Sequence, residues 1–309
     1  MTRRATREAF GETLIELVKE GLDVMAVDAD LAGSTKTAQL GAYDPDRLVD
    51  VGIAEQDMID VAAGLALTGR TVFTGSFAGS GPRRCYDQLR NTVRDSNLDR
   101  KSCPTHAGIT VGEDGATHQM LEDITLMRVL PNMRVLVPAD YWAAKAALRL
   151  AAKTPGPVYV RLGRHKVPLV YDETFVGGLP FAGVVREGTD VTIAAAGVEV
   201  SQALAAADLL EQDGISAEVL DIFSVKPLDE ETILASASKT GHVVTCEEHS
   251  VYGGVGSAIA ELLGEKLPVP CRRVGMKTFG TSANGDVLLH HFGLDGEGIA
   301  QEVKKALGG

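Results

Sequence analysis

Short apolar runs rich in β-branched residues alternate along this chain with longer amphipathic runs rich in Ala and Leu. In the first half the predicted strands lie at 24–28, 48–51, 71–74, 134–137 and 158–161, and the predicted helices at 6–20, 54–68, 83–95, 120–129 and 141–152. Strands separated by helices in this way are typical of parallel βαβ units with right-handed crossovers. The pattern therefore predicts an α/β fold built on parallel sheet.

A stretch without clear periodicity interrupts this alternation at 168–188, which contains two prolines and four glycines. Such a composition is typical of an interdomain linker. The alternation then resumes, with predicted strands at 191–195, 217–221, 242–246 and 272–274 and helices at 198–212, 229–238, 255–263 and 298–307. We therefore expect two α/β domains, at 1–170 and 189–309, joined by a linker at 171–188.

Composition narrows the class of protein. The chain has 309 residues, a formal net charge of −12 and only 5% aromatic residues, and it lacks a basic stripe. These values disfavour binding to nucleic acid or to an anionic membrane surface. The four cysteines are widely scattered and no apolar run approaches the ~20 residues that span a bilayer. We expect a soluble cytoplasmic enzyme that binds neither nucleic acid nor membrane.

Polar or functional residues follow the predicted strands of the first domain at the carboxyl ends. In an open parallel sheet, ligand sites collect at that edge. The clusters are Asp28-Ala29-Asp30-Leu31-Ala32-Gly33-Ser34, Gly52-Ile53-Ala54-Glu55-Gln56, Gly75-Ser76-Phe77, Thr105-His106 with the run 112–119, and Val160-Arg161-Leu162-Gly163-Arg164.

Each cluster also has a structural interpretation. Glu55 in a first helical turn complements the helix dipole, and Phe77 at a strand end is typical of a core residue. Arg164 could form a surface ion pair instead of binding phosphate, the anion that arginine favours. A metal site is disfavoured because His106 and His118 lie twelve positions apart on an irregular segment without a further carboxylate at ligand spacing.

Five of these segments occur in the same order in the transketolase family of thiamine-diphosphate enzymes. They are Gly-Ile-Ala-Glu-Gln at 52–56, Ser-Phe at 76–77, Thr-His at 105–106, Gly-Glu-Asp-Gly-Ala-Thr-His-Gln at 112–119 and Leu-Gly-Arg at 162–164. The chain resembles only the back portion of a full-length transketolase. The resemblance implies a parallel-sheet, pyrimidine-binding domain followed by a smaller α/β carboxy-terminal domain.

The family's diphosphate-binding domain carries a Gly-Asp-Gly motif followed by Asn, and this sequence has no Gly-Asp-Gly. Those residues hold the cation that anchors the diphosphate, and a hard cation needs such oxygen ligands. The resemblance therefore implies a split transketolase whose separate amino-terminal subunit holds thiamine diphosphate through Mg²⁺ (or Ca²⁺). We expect an α₂β₂ heterotetramer in which this chain contributes no metal ligand.

The resemblance also implies roles at the cofactor. Glu55 would be catalytic, through a proton shared with N1′ of the aminopyrimidine ring. Phe77 would stack on that ring, and Leu31 and Asp30 would complete the cofactor site. Ser80 stands where the family often has a second aromatic residue, which thins the apolar wall near the pyrimidine.

The remaining motif residues are implied to bind the sugar phosphate. His118 would act on the carbonyl region of the donor as a second catalytic residue, and Asp114 would bond a neighbouring hydroxyl. The expected phosphate ligands are His106, Ser34 and Arg164, with Arg161 as a second arginine candidate.

The function expected from the resemblance is transfer of a two-carbon ketol unit from a ketose phosphate to an aldose or its phosphate, as in pentose phosphate metabolism. Within the same cofactor class, the alternatives are a deoxyxylulose-phosphate-synthase-like enzyme and a 2-oxo-acid dehydrogenase β-type subunit. A non-catalytic partner subunit that kept the fold is the alternative from another class. Pyruvate decarboxylation would favour the synthase-like or dehydrogenase-type alternative over ketol transfer.

Overall fold

The computed structural model describes residues 2–308, which form two α/β units, each built on its own main sheet. The strands are β1 Arg3–Ala5, β2 Val24–Asp28, β3 Leu48–Asp50, β4 Thr71–Gly75, β5 Arg100–Ser102, β6 Arg134–Leu136, β7 Val158–Val160, β8 Lys166–Pro168, β9 Gly183–Arg186, β10 Val191–Ala195, β11 Ala217–Asp221, β12 Ser224–Lys226, β13 Val243–Ser250 and β14 Cys271–Met276. The helices are α1 Glu8–Lys19, α2 Ala32–Thr35, α3 Ala38–Tyr43, α4 Glu55–Ala66, α5 Gly81–Arg84, α6 Tyr86–Gln88, α7 Asp123–Arg128, α8 Tyr141–Lys153, α9 Glu199–Gln212, α10 Glu230–Thr240, α11 Val255–Lys266, α12 Gly285–His291 and α13 Gly296–Ala306.

The first sheet has seven strands in the order β12-β6-β7-β5-β4-β2-β3. Strands β2 to β7 run parallel, whereas β12 is antiparallel to β6 and comes from the second half of the chain. The predicted parallel α/β architecture is therefore confirmed. The shared edge strand means that the two halves are not joined by a linker alone.

Central strand β5 was not predicted from the sequence, because its residues are Arg-Lys-Ser and form no apolar run. Arg100 and Lys101 are nevertheless buried. The Lys101 ammonium donates to the carbonyl oxygens of Thr154, at 2.6 Å, and Gly156, at 2.7 Å. Burial lowers the pKa of Arg100 to about 10. Lys101 also pairs with the nearby Asp99 carboxylate. The remaining partners of these cations are carbonyl and hydroxyl groups that only the folded sheet brings together.

The second sheet has the order β14-β13-β10-β11-β9 and is parallel except at edge strand β9. Strand β9 lies within 171–188, so the predicted linker contains regular structure. Aromatic rings fix the same stretch: Phe175 and Phe181 pack against Phe223 with centroids 5.7 and 5.9 Å apart. The segment that was predicted as a linker because of its glycines and prolines is therefore packed against the second half of the chain.

Residues 83–95, predicted as one helix, form the end of α5, helix α6 and a π-helical turn at Leu89–Asp95. Cys85 causes the first break, since its φ of −106° and ψ of 21° are not helical. Other predicted helices differ only at their ends, and Asp140 caps α8 as predicted, accepting from the Ala143 N–H at 2.8 Å.

The order of strands decides where the functional residues meet. Strands β2, β4, β5 and β7 are neighbours and point the same way, so the loops that follow them share one edge. Among residues 2–308, no helix combines the length and apolar character that crossing a bilayer requires.

Candidate active site

His106 lies at the centre of the loops that meet at this edge. Its ring packs on Phe77 with centroids 3.8 Å apart and a 34° angle between planes. Backbone bonds fix the two loops together: the Thr105 N–H donates to Ser76, at 2.9 Å, and the Ala78 N–H donates to Thr105, at 2.8 Å. His106 itself has a φ of +61°, an unusual conformation for a residue with a side chain. Strain of this kind is found at functional sites.

The hydrogen bonds of His106 define its tautomer. Its Nε2 lies 3.2 Å from the Arg7 Nη1, which can only donate, and its Nδ1 lies 2.7 Å from the Thr105 hydroxyl. Nε2 is therefore the acceptor, and the ring proton sits on Nδ1. Burial, followed by the charges of Arg7 and Arg164, lowers the pKa of His106 to about 3. At neutral pH the imidazole is uncharged.

Arg7 is the functional residue that the sequence analysis missed. Its Nη1 also donates to the Ser34 carbonyl at 2.9 Å, while its Nε is buried without a partner among the described residues. Burial and the nearby charge of Arg164 lower the pKa of Arg7. Two neighbouring guanidinium groups are suited to bind an anion. We call Arg7, Arg164 and the His106 ring that accepts from Arg7 the candidate anion receptor. The sequence offered little signal, because Arg7 sits in an ordinary turn before α1.

Arg164 and Asp114 form the outer rim of this receptor. The Arg164 Nη1 donates to Asp114 at 2.7 Å, and Glu113 lies 3.5 Å from the same guanidinium. About a third of the Arg164 side chain is exposed. The predicted residues Ser34, His106, Asp114 and Arg164 are thus brought together, with Arg7 as their link.

His118 ends the loop at 108–119 and is exposed, with its Nδ1 3.0 Å from the Thr117 hydroxyl. Three glycines give this loop its path: Gly108, Gly112 and Gly115 have φ values of +81°, +86° and +75°. The charge of His118 contributes to lowering the pKa of His106, so the two imidazoles lie near each other at this edge.

Glu55 begins α4, and its side chain is 6% exposed. The carboxylate accepts a hydrogen bond of 2.8 Å from the Arg84 Nη1. Two residues earlier, Ile53 is 80% exposed.

Leu31 and Asp30 lie in the turn after β2, as predicted, but their observed contacts are structural. The Leu31 N–H donates to Asp28 at 2.8 Å, and the Asp30 N–H donates to Asp50 at 3.0 Å. Asp30 is exposed and has a φ of +61°. None of these hydrogen bonds joins the turn to Glu55 or His106.

Arg161 does not belong to the anion receptor, and its assignment as a second phosphate candidate is wrong. The side chain is buried, with its Nε 2.8 Å from Asp123 and its Nη1 3.2 Å from Glu248. Both carboxylates are themselves buried. Because its guanidinium is fully occupied away from solvent, Arg161 connects the two halves of the chain instead.

Comparison with known proteins identifies the fold. The transketolase pyrimidine-binding domain model matches residues 2–170, and the transketolase C-terminal domain model matches residues 182–299. The chain belongs to the transketolase family. The predicted family, fold class and transferase class are thereby confirmed.

Relatives of this transketolase-family chain include stand-alone sections of similar length. It is 44% identical to the putative transketolase C-terminal section of Methanocaldococcus jannaschii over 98% of this chain and 96% of that protein. It is 43% identical to a 6-deoxy-6-sulfo-D-fructose transketolase subunit of Clostridium sp., over 97% and 92%. A solved structure described as a split gene transketolase, inactive beta4 tetramer, superposes with a TM-score of 0.91 at 44% identity, covering 98% of both chains.

Transketolases depend on thiamine diphosphate, and part of this sheet edge fits its aminopyrimidine ring. The Ser76 hydroxyl is buried without a partner among the described residues, next to the half-buried ring of Phe77. The Glu55 carboxylate offers the acid that a ring nitrogen requires. The only metal-type cluster within residues 2–308 is His290, Asp295 and Glu297, none of which is a predicted site residue, and Asp295 already caps α13.

Proposed function

We propose that this chain is the carboxy-terminal subunit of a split transketolase that transfers a two-carbon ketol unit from a ketose phosphate to an aldose or aldose phosphate. The observation that carries the proposal is the pairing of two features at one sheet edge. One is the buried Glu55 carboxylate at the start of α4, and the other is the anion receptor of Arg7, His106 and Arg164.

The receptor suits a sugar with a terminal anionic group. Arg7 and Arg164 supply positive charge and directed N–H donors, and His106 accepts from Arg7 and so holds that guanidinium in place. Ser34 lies next to Arg7, which donates to the Ser34 carbonyl. Holding the remote phosphate in this way orients the reacting carbonyl, and that binding energy serves the chemical step.

The relative named for 6-deoxy-6-sulfo-D-fructose indicates that the anionic group of the sugar can differ between members of this family. The sugar in its name carries a sulfonate where ketose phosphates carry phosphate. Both anions present oxygens to arginine in a similar geometry. We propose a sugar phosphate for this chain because two guanidinium groups suit a doubly charged anion.

At the opposite end of the site, Glu55 would hold a proton against the aminopyrimidine, and Phe77 would pack against that ring. When bound, thiamine diphosphate supplies the carbon nucleophile and the electron sink for cleaving a ketose. His118 and Asp114 would bond the donor's carbonyl region and a neighbouring hydroxyl, and Leu31 and Asp30 would border the cofactor.

An amino-terminal partner subunit would supply the diphosphate site with Mg²⁺ or Ca²⁺, giving an α₂β₂ assembly. This part of the proposal is supported by the missing Gly-Asp-Gly motif and by the relative named a C-terminal section. The inactive beta4 tetramer of the similar structure agrees with a chain that is incomplete by itself.

Reconstitution tests the proposal. The purified chain should show no ketol transfer with thiamine diphosphate and Mg²⁺, and adding the subunit that bears Gly-Asp-Gly and Asn should produce it. Full turnover by the lone chain would refute the split arrangement. Pyruvate decarboxylation by the complex in place of ketose cleavage would assign it to the deoxyxylulose-phosphate-synthase or 2-oxo-acid dehydrogenase class.

A further inference from the structure

Glu248 lies on β13 in the second domain, yet its carboxylate bonds to the loop at 108–119 in the first domain. Its Oε2 accepts from both donors of Thr110: the backbone N–H at 3.0 Å and the hydroxyl at 2.7 Å. The Glu248 side chain is 2% exposed. Because the carboxylate takes two donors from a single loop residue, it fixes both the position and the direction of the chain there.

The loop has a glycine, Gly108, where the Glu248 carboxylate comes closest to its backbone. A Cβ built on Gly108 would lie 2.1 Å from the Glu248 carboxyl carbon, and Gly108 has a φ of +81°. Both the contact and the conformation exclude other residues at that position. The glycine is therefore required by a carboxylate from the other domain, rather than by the loop alone.

Arg161 holds Glu248 from the opposite side. Its Nη1 donates to Oε1 at 3.2 Å and its Nη2 donates to the Glu248 carbonyl at 3.3 Å, while its Nε is anchored on Asp123 at 2.8 Å. With one oxygen on Arg161 and the other on Thr110, the carboxylate has little freedom to rotate. Burial keeps water from competing for these bonds.

Two more contacts from the second domain lie further along the same loop. The Ser282 hydroxyl donates to the Glu113 carbonyl, and the Gln119 side-chain amide donates to the Thr281 carbonyl at 2.9 Å. The second domain thus contacts the loop at its start, middle and end. Asp114 and His118 lie between these contacts.

We propose that the second domain positions the substrate-binding loop of the first, and that Glu248 is the positioning residue that sets Asp114 and His118 through Thr110. This inference rests on the proposed function for its catalytic consequence. On this proposal the carboxy-terminal domain contributes to the reaction by positioning the loop at 108–119, without binding a ligand itself. Misplacing reacting groups by about 1 Å can cost on the order of 100-fold in rate.

Glu247, the preceding residue of the same strand, provides a matched control. Its side chain is also 2% exposed. Its carboxylate accepts from the N–H groups of Val255, at 2.7 Å, and Gly256, at 2.9 Å, at the start of α11. Replacing it removes an equally buried carboxylate with two backbone donors but leaves the loop at 108–119 untouched.

Hydrogen exchange of the chain tests the contact itself. In Glu248→Ala the amides of 109–119 should exchange at least about 10-fold faster, whereas in Glu247→Ala the faster exchange should be confined to the start of α11. Thr110→Val, which keeps the backbone N–H and loses the hydroxyl, should give a smaller effect at 109–119. Unchanged exchange of this loop in Glu248→Ala, or equal loop effects in the two alanine variants, would overturn the proposal.

Kinetics of the reconstituted complex test the consequence. Glu248→Ala should lower kcat/KM for the ketose about 10-fold or more, with the affinity for thiamine diphosphate within about 3-fold of wild type. Thr110→Val should show part of this loss and Thr110→Ser should restore it, since serine keeps the hydroxyl. A loss in Glu247→Ala as large as in Glu248→Ala would reduce Glu248 to a structural role and refute the inference. Absence of ketol transfer by the wild-type complex would instead refute the proposed function, and the exchange experiment would still decide the contact.

Discussion

The Arg84 guanidinium donates a hydrogen bond of 2.8 Å to Glu55, the carboxylate that the family resemblance assigns to the cofactor ring. The Arg84 side chain is 57% exposed, while that of Glu55 is 6% exposed. Because the Glu55 carboxylate is buried, its charge needs a partner, and Arg84 supplies one in the lone chain.

Glu55→Gln should lower kcat of the reconstituted complex by a factor of about 100 or more, because the amide cannot hold the proton that the reaction moves. Arg84→Ala should cost less than about 10-fold, since Arg84 only neutralises the carboxylate. Steady-state ketol transfer measures both, with circular dichroism to confirm folding. A kcat near wild type in Glu55→Gln would remove Glu55 from the mechanism.

Arg7→Ala and Arg164→Ala should each raise KM for phosphorylated sugars by about 10- to 100-fold, corresponding to loss of charge-assisted hydrogen bonds of about 1.5–3 kcal/mol. KM for an uncharged aldehyde acceptor should change little, and this acceptor is the control. Equal effects on charged and uncharged acceptors would contradict the assignment of these arginines to the anion.

His106 should make the free energy of unfolding depend on pH. Burial first, then Arg7 and Arg164, lower the pKa of His106 to about 3, against about 6.5 in the unfolded chain. Between these values only the unfolded chain binds the proton, so stability is full above pH 6.5 and falls as the pH drops towards 3. The loss amounts to at most about 1.4 kcal/mol per pH unit.

Urea unfolding of the wild type and His106→Asn between pH 4.5 and 7.5 checks this, because the difference between the two isolates His106. The variant should lose less stability on acidification. His290→Gln is a control of opposite sign: its hydrogen bond to Asp295 raises the pKa of His290, so this histidine contributes stability at low pH that disappears as the pH rises. Parallel curves for wild type and His106→Asn would refute the assignment.

Arg161→Met should lower the free energy of unfolding by about 3–5 kcal/mol, because it leaves the buried carboxylates of Asp123 and Glu248 without their cation. Arg164→Ala should change it by no more than about 1 kcal/mol, since that side chain lies at the rim. Denaturant midpoints measure both. Similar small losses for the two arginines would show that Arg161 is not the interdomain anchor described above.

The motif residues and the structure agree where the signal is local. Glu55 begins a helix after a predicted strand, so its place at the carboxyl edge could be predicted from the local pattern. His106 and Asp114 follow β5, so their place at that edge rested on the family motifs. Arg7 could not, because nothing near it in sequence indicates that a turn before α1 reaches a loop 99 residues later. Strand β5 was missed for a related reason, since most of the groups that bind its charged residues are distant in sequence.

The sequence by itself determined the α/β pattern, the family motifs and the edge at which they gather, because periodicity and turn residues act over a few positions. Only the tertiary structure decided which of two neighbouring arginines lies at the solvent-exposed rim. Arg164 pairs with Asp114 at the edge of the anion receptor, whereas Arg161 is bound by buried carboxylates from both domains. That choice depends on burial and on long-range partners such as Glu248, whose charge must be compensated where water is excluded.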